Sequence, residues 1–340
     1  MGFLSPGWMQ RRRFAAGVDV SAGGVTLVVL SRDARAAAPV RVEWLAHAPL
    51  PRDAMAGARV VDRAALAAAL RDVFAGLPAG CGAAMLRCAM ALPAGATVVA
   101  SLPLAQLAHG APREHRDVRL HAALEPAVLA EAERLTGVER HELAVDWCVD
   151  PAAALARRAA HASGPPPPPA CRVTITSAPR QHLEARIECA AMAGVTLCAL
   201  DGDAHAALRA LRCAAARELS PDDTWVALWI GPDGVHGWSL ADDRIVREMC
   251  YPAPEHADFV DALRSLPGGE AARCALIAGQ VGALAAARVS HADLARVLGC
   301  PVLPFECATF APAGCALDAG LLREPACAVA FGLALRGVGE

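Results

Sequence analysis

Three short glycine-containing turns are the features of this 340-residue sequence that could do chemistry. They lie in the runs Gly17–Val25, Ala227–Gly234 and Leu276–Gly282. Backbone N–H groups of small turns form concave sites for anions, and a nearby carboxylate can hold a metal ion through water. The candidate positions for binding a nucleotide phosphate are Asp19, Ser21, Ala22, Gly23 and Gly24 in the first turn, Gly231 in the second and Gly279 in the third.

The second and third turns lack residues that this chemistry needs. Trp229 stands where a carboxylate matching Asp19 is expected, and Gln280 replaces one glycine of an expected pair. Loss of a carboxylate for a metal ion and of a charge partner for phosphate removes charge-assisted contacts worth roughly 1.5–3 kcal/mol each, and two such losses weaken binding by about two to four orders of magnitude. We therefore expect weak or absent nucleotide binding, no catalytic residue and no metal site of the protein's own.

The composition excludes several classes of protein. All 32 basic residues are arginine, because the sequence contains no lysine. A Walker P-loop, a protein kinase and a pyridoxal enzyme each require a lysine and are therefore excluded. The net charge of -3 gives no general attraction to nucleic acid. The 13 cysteines contain no C-x-x-C pair, which favours reduced thiols packed as small apolar side chains over a disulfide framework or a zinc site.

The sequence predicts a soluble, cytoplasmic protein. It shows no secretory signal, and no apolar run reaches the roughly 18 residues of a membrane span. Residues 1–13 are expected to form a flexible N-terminus. The alternative for this segment is contact of its apolar residues and arginines with an anionic membrane surface.

The predicted elements occur in the same order twice, as strand, glycine turn, strand, strand, helix and strand. This duplication predicts an α/β protein of two lobes, with lobe 1 at 14–200 and lobe 2 at 201–340. The stretch 96–151 is expected to be an inserted α/β subdomain, and 164–169 to be a stiff proline-rich loop. Two such hairpins facing each other across a cleft suit the actin/hexokinase-type nucleotide fold, in which a later glycine turn accepts the adenosine.

Two polar clusters outside the turns have alternative interpretations. Asp201, Asp203 and His205 form either a metal triplet or the start of a helix with acidic residues at its positive end. The segment 113–119 either binds an acidic partner or lipid head groups, or is a solvated charged loop.

The chain as a whole resembles the PilM family, the actin-like type IV pilus assembly proteins. The first turn and its strands, Gly17–Leu30, are similar to the opening G-[IV]-D-[IV]-G-S-x-x-[VI]-K-[LV]-V-x-L of that family. The resemblance continues in unbroken order through Leu45–Pro51, Ala130–Glu133, Leu143–Val149, Val173–Pro179, Glu184–Gly194, Leu200–Asp203 and Ala328–Arg336.

The resemblance implies an actin-like ATPase fold with an FtsA-like inserted subdomain. It also implies a protein peripheral to the inner membrane, which binds the N-terminal tail of the membrane protein PilN and joins the pilus inner-membrane alignment complex. Family members bind ATP and Mg²⁺. The departures of this chain fall on that feature, at Ser21, Thr26, Trp229 and Gln280.

We predict that the PilN-like tail docks by strand addition or in an apolar groove between lobe 1 and its insertion. The residues predicted to form one wall of this groove are Arg87, Met90, Leu92, Val145, Trp147 and Val149. The alternatives are an ATPase or phosphotransferase of the same fold, and a scaffold of competence or division with another tail as its partner. A homo-oligomer is a further expectation.

Overall fold

The computed structural model describes residues 12–33, 39–78, 81, 86–107, 117–150, 172–252, 258–267 and 271–339. The proline-rich loop 164–169, most of the predicted flexible N-terminus and residues 113–116 of the charged cluster lie outside the described residues. The chain divides into a larger unit, Met1–Ala94 with Ala185–Glu340, and a smaller unit, Gly95–Glu184.

The strands and helices are numbered in chain order. The strands are β1 (Arg12–Ser21), β2 (Gly24–Asp33), β3 (Arg41–Pro49), β4 (Met55–Ala56), β5 (Arg59–Val60), β6 (Arg87–Leu92), β7 (Val98–Pro103), β8 (Leu143–Asp150), β9 (Arg172–Pro179), β10 (Leu197–Gly202), β11 (Trp225–Gly231), β12 (Gly234–Ala241), β13 (Arg244–Tyr251), β14 (Ala275–Gly279) and β15 (Val302–Pro304). The α-helices are α1 (Arg63–Ala75), α2 (Leu104–Leu107), α3 (Asp117–Thr136), α4 (Arg180–Met192), α5 (Asp203–Glu218), α6 (Phe259–Ser265), α7 (Ala283–Ala286), α8 (His291–Leu298), α9 (Ala319–Leu322) and α10 (Ala328–Gly339).

The larger unit contains two five-stranded sheets of the same topology. The first has the order β10-β6-β1-β2-β3 and the second the order β15-β14-β11-β12-β13. In each sheet an antiparallel meander of three strands is extended by two parallel strands. The duplication predicted from the sequence is confirmed at the level of strand order and direction.

Two helices, α5 and α10, join the two sheets into one core. They pack against each other and contribute to the largest core cluster together with residues of both sheets. Glycine is required where they cross, because a β-carbon on Gly332 would overlap the backbone carbonyl of Ala206. A β-carbon on Gly17 would likewise overlap the carbonyl of Ala330, so β1 and α10 also approach closely.

Each sheet is covered by further helices of the larger unit. Helices α1 and α4 share a core cluster with the first sheet, and α6 and α8 share one with the second. Helix α1 begins at an aspartate cap, because Asp62 Oδ1 accepts a hydrogen bond of 2.9 Å from the N–H of Ala65.

Strand β1 begins at Arg12, so the predicted flexible N-terminus does not extend to residue 13. Arg12 lies 3.2 Å from a carboxylate oxygen of Glu43 and 3.5 Å from one of Asp33. These contacts, together with the pairing of Arg12 and Arg13 to β2, place both residues in the first sheet.

The smaller unit is a three-stranded antiparallel sheet of order β7-β9-β8, with α3 packed on it. Leu124 and Val128 of α3 meet Val173 and Ile175 of the central strand β9 in a small core. The inserted unit therefore reaches Glu184 and includes β9. The range predicted from the sequence, 96–151, is too short and leaves β9 in the main body of the chain. An alternating strand looks the same in either sheet, so its pairing partner is not visible in the sequence.

None of the described helices combines the length and the apolar character that a membrane span requires.

Candidate functional site

The three turns line one cavity of about 360 Å³ within the larger unit. Five of the seven predicted positions line it, namely Asp19, Ser21, Gly23, Gly231 and Gly279. The other two, Ala22 and Gly24, lie in the same first hairpin turn. Further lining residues are Val20, Thr26, His47, Ala91, Pro93, Asp203, Trp229, Ile230, Pro232, Gln280, Leu321, Glu324, Ala326, Cys327 and Val329.

The first and second turns are equivalent in their register. Asp19 pairs with Thr26 two residues before the first turn closes, and Trp229 pairs with His236 two residues before the second turn closes. Trp229 therefore occupies the strand position that Asp19 occupies in the first sheet, as the sequence comparison of the two turns suggests.

The closing glycines of the two turns are also equivalent. Gly24 has φ +153° and Gly234 has φ +143°. A β-carbon on Gly24 would overlap the carbonyl of Ala48, and one on Gly234 would overlap the carbonyl of Tyr251. Both turns thus need glycine for the same reason, a close approach of the neighbouring strand of the meander.

Two carboxyl groups of the cavity wall, those of Asp19 and Asp203, interact with each other and with the buried Arg186. Asp203 is 5 % exposed, and burial together with the charge of Asp19 raises its pKa to about 8. Burial also raises the pKa of Asp19 to about 6, against the opposing effects of the Val20 N–H and of Arg186. Near neutral pH the pair therefore holds a proton, mainly on Asp203.

Arg186 supports this pair from within the core. It is fully buried, its Nε donates to the carbonyl of Ala91 (3.0 Å) and one Nη donates to the carbonyl of Ala58 (3.1 Å). Burial lowers the pKa of Arg186 to about 10, and the charges of Asp19 and Asp203 act in the opposite direction. Arg186 thus stays charged and compensates one buried carboxylate.

Sequence reasoning missed the roles of Asp203 and Arg186. Asp203 is the first residue of α5, as predicted, but the capping position is Gly202, which has no side chain to cap with. Asp201 does not cap the helix either; its carboxylate lies 2.9 Å from Arg209 and 3.2 Å from Arg336. The available signal was the position of Arg186 on the apolar face of α4, where a charged residue needs a buried partner.

Among the described residues, no group of three or more His, Cys, Asp or Glu side chains could hold a metal ion.

Two polar pairs occupy equivalent places beside the first and second turns. Thr26 Oγ1 lies 3.1 Å from His47 Nδ1 across β2 and β3, and Cys250 Sγ lies 3.8 Å from His236 Nε2 across β12 and β13.

The second turn is poorly suited to a phosphate group. Pro232 has no backbone N–H to donate, and Asp233 adds a carboxylate whose charge contributes to the raised pKa of Asp203. The indole of Trp229 covers Gly231, because a β-carbon built there would lie 2.6 Å from its Cζ3. The turn therefore offers fewer donors and less space than its counterpart in the first sheet.

The cavity as a whole does not fit a magnesium-bound triphosphate. Its lining includes three carboxyl groups, those of Asp19, Asp203 and Glu324. Of the described residues that line it, none is an arginine, and the chain has no lysine. The described lining therefore has no arginine or lysine side chain that could balance the negative charge of an anionic ligand.

The six predicted partner-binding residues lie in both units. Arg87 is exposed, whereas Met90 and Leu92 are 0 % and 5 % exposed and belong to the interior of the first sheet. Burial removes Met90 and Leu92 from the predicted contact surface. Val145, Trp147 and Val149 are half-buried on β8 of the smaller unit, where they pack against its core.

The two equivalent sheets, the helices between them and the turns around one cavity define an actin-like ATPase fold. A family model described as type IV pilus assembly protein PilM matches residues 17–230. The chain belongs to the PilM family of type IV pilus assembly proteins.

Three solved structures are similar to this chain. A protein of a PilM-PilN type IV pilus biogenesis complex is 19% identical, with a TM-score of 0.68 over 95% of this chain and 98% of that chain. The ethanolamine utilization protein EutJ from Carboxydothermus hydrogenoformans is 13% identical, with a TM-score of 0.42 over 95% of this chain and 89% of that chain. The cytoplasmic domain of EpsL from the type II secretion system of Vibrio cholerae is 11% identical, with a TM-score of 0.40 over 78% of this chain and 82% of that chain. A search of curated proteins gives no match to the sequence.

Proposed function

We propose that this chain is a cytoplasmic scaffold of the type IV pilus assembly platform and binds the N-terminal tail of a PilN-like membrane protein. The observation that carries the proposal is membership of the PilM family together with a fold that matches 98% of a protein solved in a PilM-PilN complex. In this role the chain is peripheral to the inner membrane through its partner. Association with the alignment complex and self-association are part of the same proposal.

The geometry of β8 supports strand addition as the mode of docking. Among the described strands, β8 lies at the edge of the sheet β7-β9-β8, and an edge strand is where a further strand can be added. Val145, Trp147 and Val149 alternate along one face of β8 and lie half-buried against the small core. A peptide strand beside β8 would continue this apolar face, and its alternate side chains would lie next to these three residues.

Titration calorimetry with a synthetic PilN-like N-terminal peptide tests the proposal. We expect saturable binding in the absence of any nucleotide, and no binding of a peptide with the same composition in scrambled order. Absence of binding to the tail peptide, combined with ATP hydrolysis by the same preparation, would contradict the scaffold role.

The alternative function is an ATPase or phosphotransferase of the same fold. Two features disfavour this alternative: the acidic lining of the cavity, and the presence of Trp229 and Pro232 in the second turn. We therefore propose that the nucleotide-binding loops are degenerate and that ATP and Mg²⁺ bind weakly or not at all.

A further inference from the structure

The tryptophan of the second turn does more than replace a carboxylate. Trp229 is 3 % exposed although it lines the cavity. A β-carbon on Gly231 would lie 2.8 Å from its Cζ2, and one on Gly279 would lie 3.0 Å from its Cδ1. The two ends of the indole thus stand against the second turn and the third turn, and the ring fills the space between them.

The indole ring is fixed in this place by its neighbours. The ring centroid of His236 lies 5.3 Å from that of Trp229 and 5.9 Å from that of Trp238. Burial lowers the pKa of His236, which favours its neutral form. Trp229 and Trp238 both belong to the core cluster that joins the two sheets, so the ring is part of a packed interior.

We infer that Trp229 closes the nucleoside end of the cavity with its own side chain. The inference rests on the proposed loss of nucleotide binding and assigns it a second, steric cause. The resemblance to actin-like proteins assigns the third turn to the adenosine, and the indole beside Gly279 takes up that place. The site is therefore closed by volume at Trp229 and, separately, by a lining that has carboxyl groups but, among the described residues, no arginine or lysine to balance a phosphate.

The two causes can be separated by choice of ligand. Adenosine carries no charge, so the carboxyl groups of the lining do not repel it, and only the volume of the indole excludes it. MgATP meets both barriers. Removing the indole should therefore allow adenosine to bind. It should improve the binding of MgATP by a smaller amount, because the second barrier is still present.

The experiment compares thermal unfolding of the wild type, Trp229→Val and Trp225→Val with and without millimolar adenosine. Valine suits a buried strand, and Trp225 is a matched control because it lies on the same strand and in the same core cluster but not on the cavity wall. We expect adenosine to raise the Tm of Trp229→Val by about 2 °C or more, and to leave the wild type and Trp225→Val unchanged. MgATP should raise the Tm of Trp229→Val by less than adenosine does.

The inference is overturned if folded Trp229→Val gains no stability from adenosine, or if the wild type gains as much. A larger effect of MgATP than of adenosine would overturn the role of the carboxyl groups. Should Trp229→Val not fold, Trp229→Leu gives the same comparison with a smaller expected shift. Binding of the PilN-like peptide to the wild type is measured in parallel. If the peptide does not bind, the proposed function is contradicted, whereas the inference about Trp229 is decided by the adenosine result alone.

Discussion

At the scale of single residues, Asp19 and Asp203 of the cavity wall are balanced by Arg186, which is buried in the core and does not line the cavity. Arg186 is anchored by two backbone carbonyls, and its charge offsets one of the two carboxyl groups. The other carboxyl group holds a proton near neutral pH, and this proton lies mainly on Asp203. The cluster is therefore close to neutral without a metal ion, which agrees with the proposed loss of nucleotide binding.

This protonation predicts a pH dependence of stability. The pKa of Asp203 is about 8 in the folded chain, above its ordinary value of 3.8, so the folded state holds a proton that the unfolded state releases between these values. The contribution of Asp203 to stability is therefore fully present below about pH 4 and is lost as the pH rises towards 8, by at most about 1.4 kcal/mol per pH unit. Asp203→Asn keeps the shape of the protonated group without the titration, and its stability should fall less between pH 5 and pH 8.

Urea unfolding of the wild type and Asp203→Asn at pH 5, 6, 7 and 8 measures this difference. Asp53→Asn, at an exposed position, is the control and should follow the wild type at every pH. Parallel curves for the wild type and Asp203→Asn would show that Asp203 is not protonated in the folded chain.

The role of a single residue can be predicted from the sequence when it depends on neighbours in the chain, and not when it depends on contacts between distant segments. The erosion of the second turn at Trp229 is evident in the sequence because the two turns can be aligned with each other. The partnership of Asp19 with Arg186 and Asp203 is not evident, because it joins β1, α4 and the start of α5 through the tertiary structure. Burial and contact between distant segments decide such roles, and local pattern does not carry that information.

At the scale of elements, the crossing of α5 and α10 depends on a residue without a side chain. Gly332→Ala would drive a β-carbon into the backbone carbonyl of Ala206, which cannot move as a side chain would. We expect a loss of about 1–3 kcal/mol in the free energy of unfolding. Gly339, in the same helix, has nothing within 4 Å of a built β-carbon, so Gly339→Ala should be neutral or stabilising by up to about 1 kcal/mol.

Chemical denaturation of the two glycine variants measures this contrast directly. Equal stability of Gly332→Ala and Gly339→Ala would mean that the two helices do not cross as closely as the structure has them.

The edge strand β8 gives a second prediction at this scale. Trp147→Ala removes the largest apolar side chain of the face that a docked peptide would extend, and should weaken tail binding by tenfold or more, about 1.4 kcal/mol. Cys148→Ser changes the next residue, which points to the opposite face of the strand, and should bind as the wild type does. Calorimetry on both variants, with circular dichroism to establish that they are folded, provides the measurement.

If Trp147→Ala binds the peptide as tightly as Cys148→Ser, docking on β8 is contradicted. The scaffold role itself is tested by the titration of the wild type.

Sequence patterns predict the order of the elements better than the pairing of the strands. The order of strands in each half follows from alternation and turn residues, but the pairing of β9 with β7 and β8 follows from a contact across a long connection. The inserted unit was for that reason predicted too short.

At the scale of the whole molecule, the chain keeps the duplicated architecture of an actin-like ATPase, and we propose that its cavity has lost the features that bind a nucleotide. The shared register of the two turns, the helices between the sheets and the glycine contacts preserve the fold. The acidic lining and the indole of Trp229 lie at the ligand site. On this proposal the fold is kept without nucleotide binding, and membership of the PilM family supports a role in pilus assembly.

Thermal unfolding of one preparation with two ligands tests this central claim most directly. A ligand present at 100 times its Kd stabilises the folded chain by about 2.7 kcal/mol, which gives a Tm rise of several degrees. We predict such a rise with the PilN-like N-terminal peptide and none with MgATP at micromolar concentration. A clear rise with micromolar MgATP, and none with saturating peptide, would contradict the account.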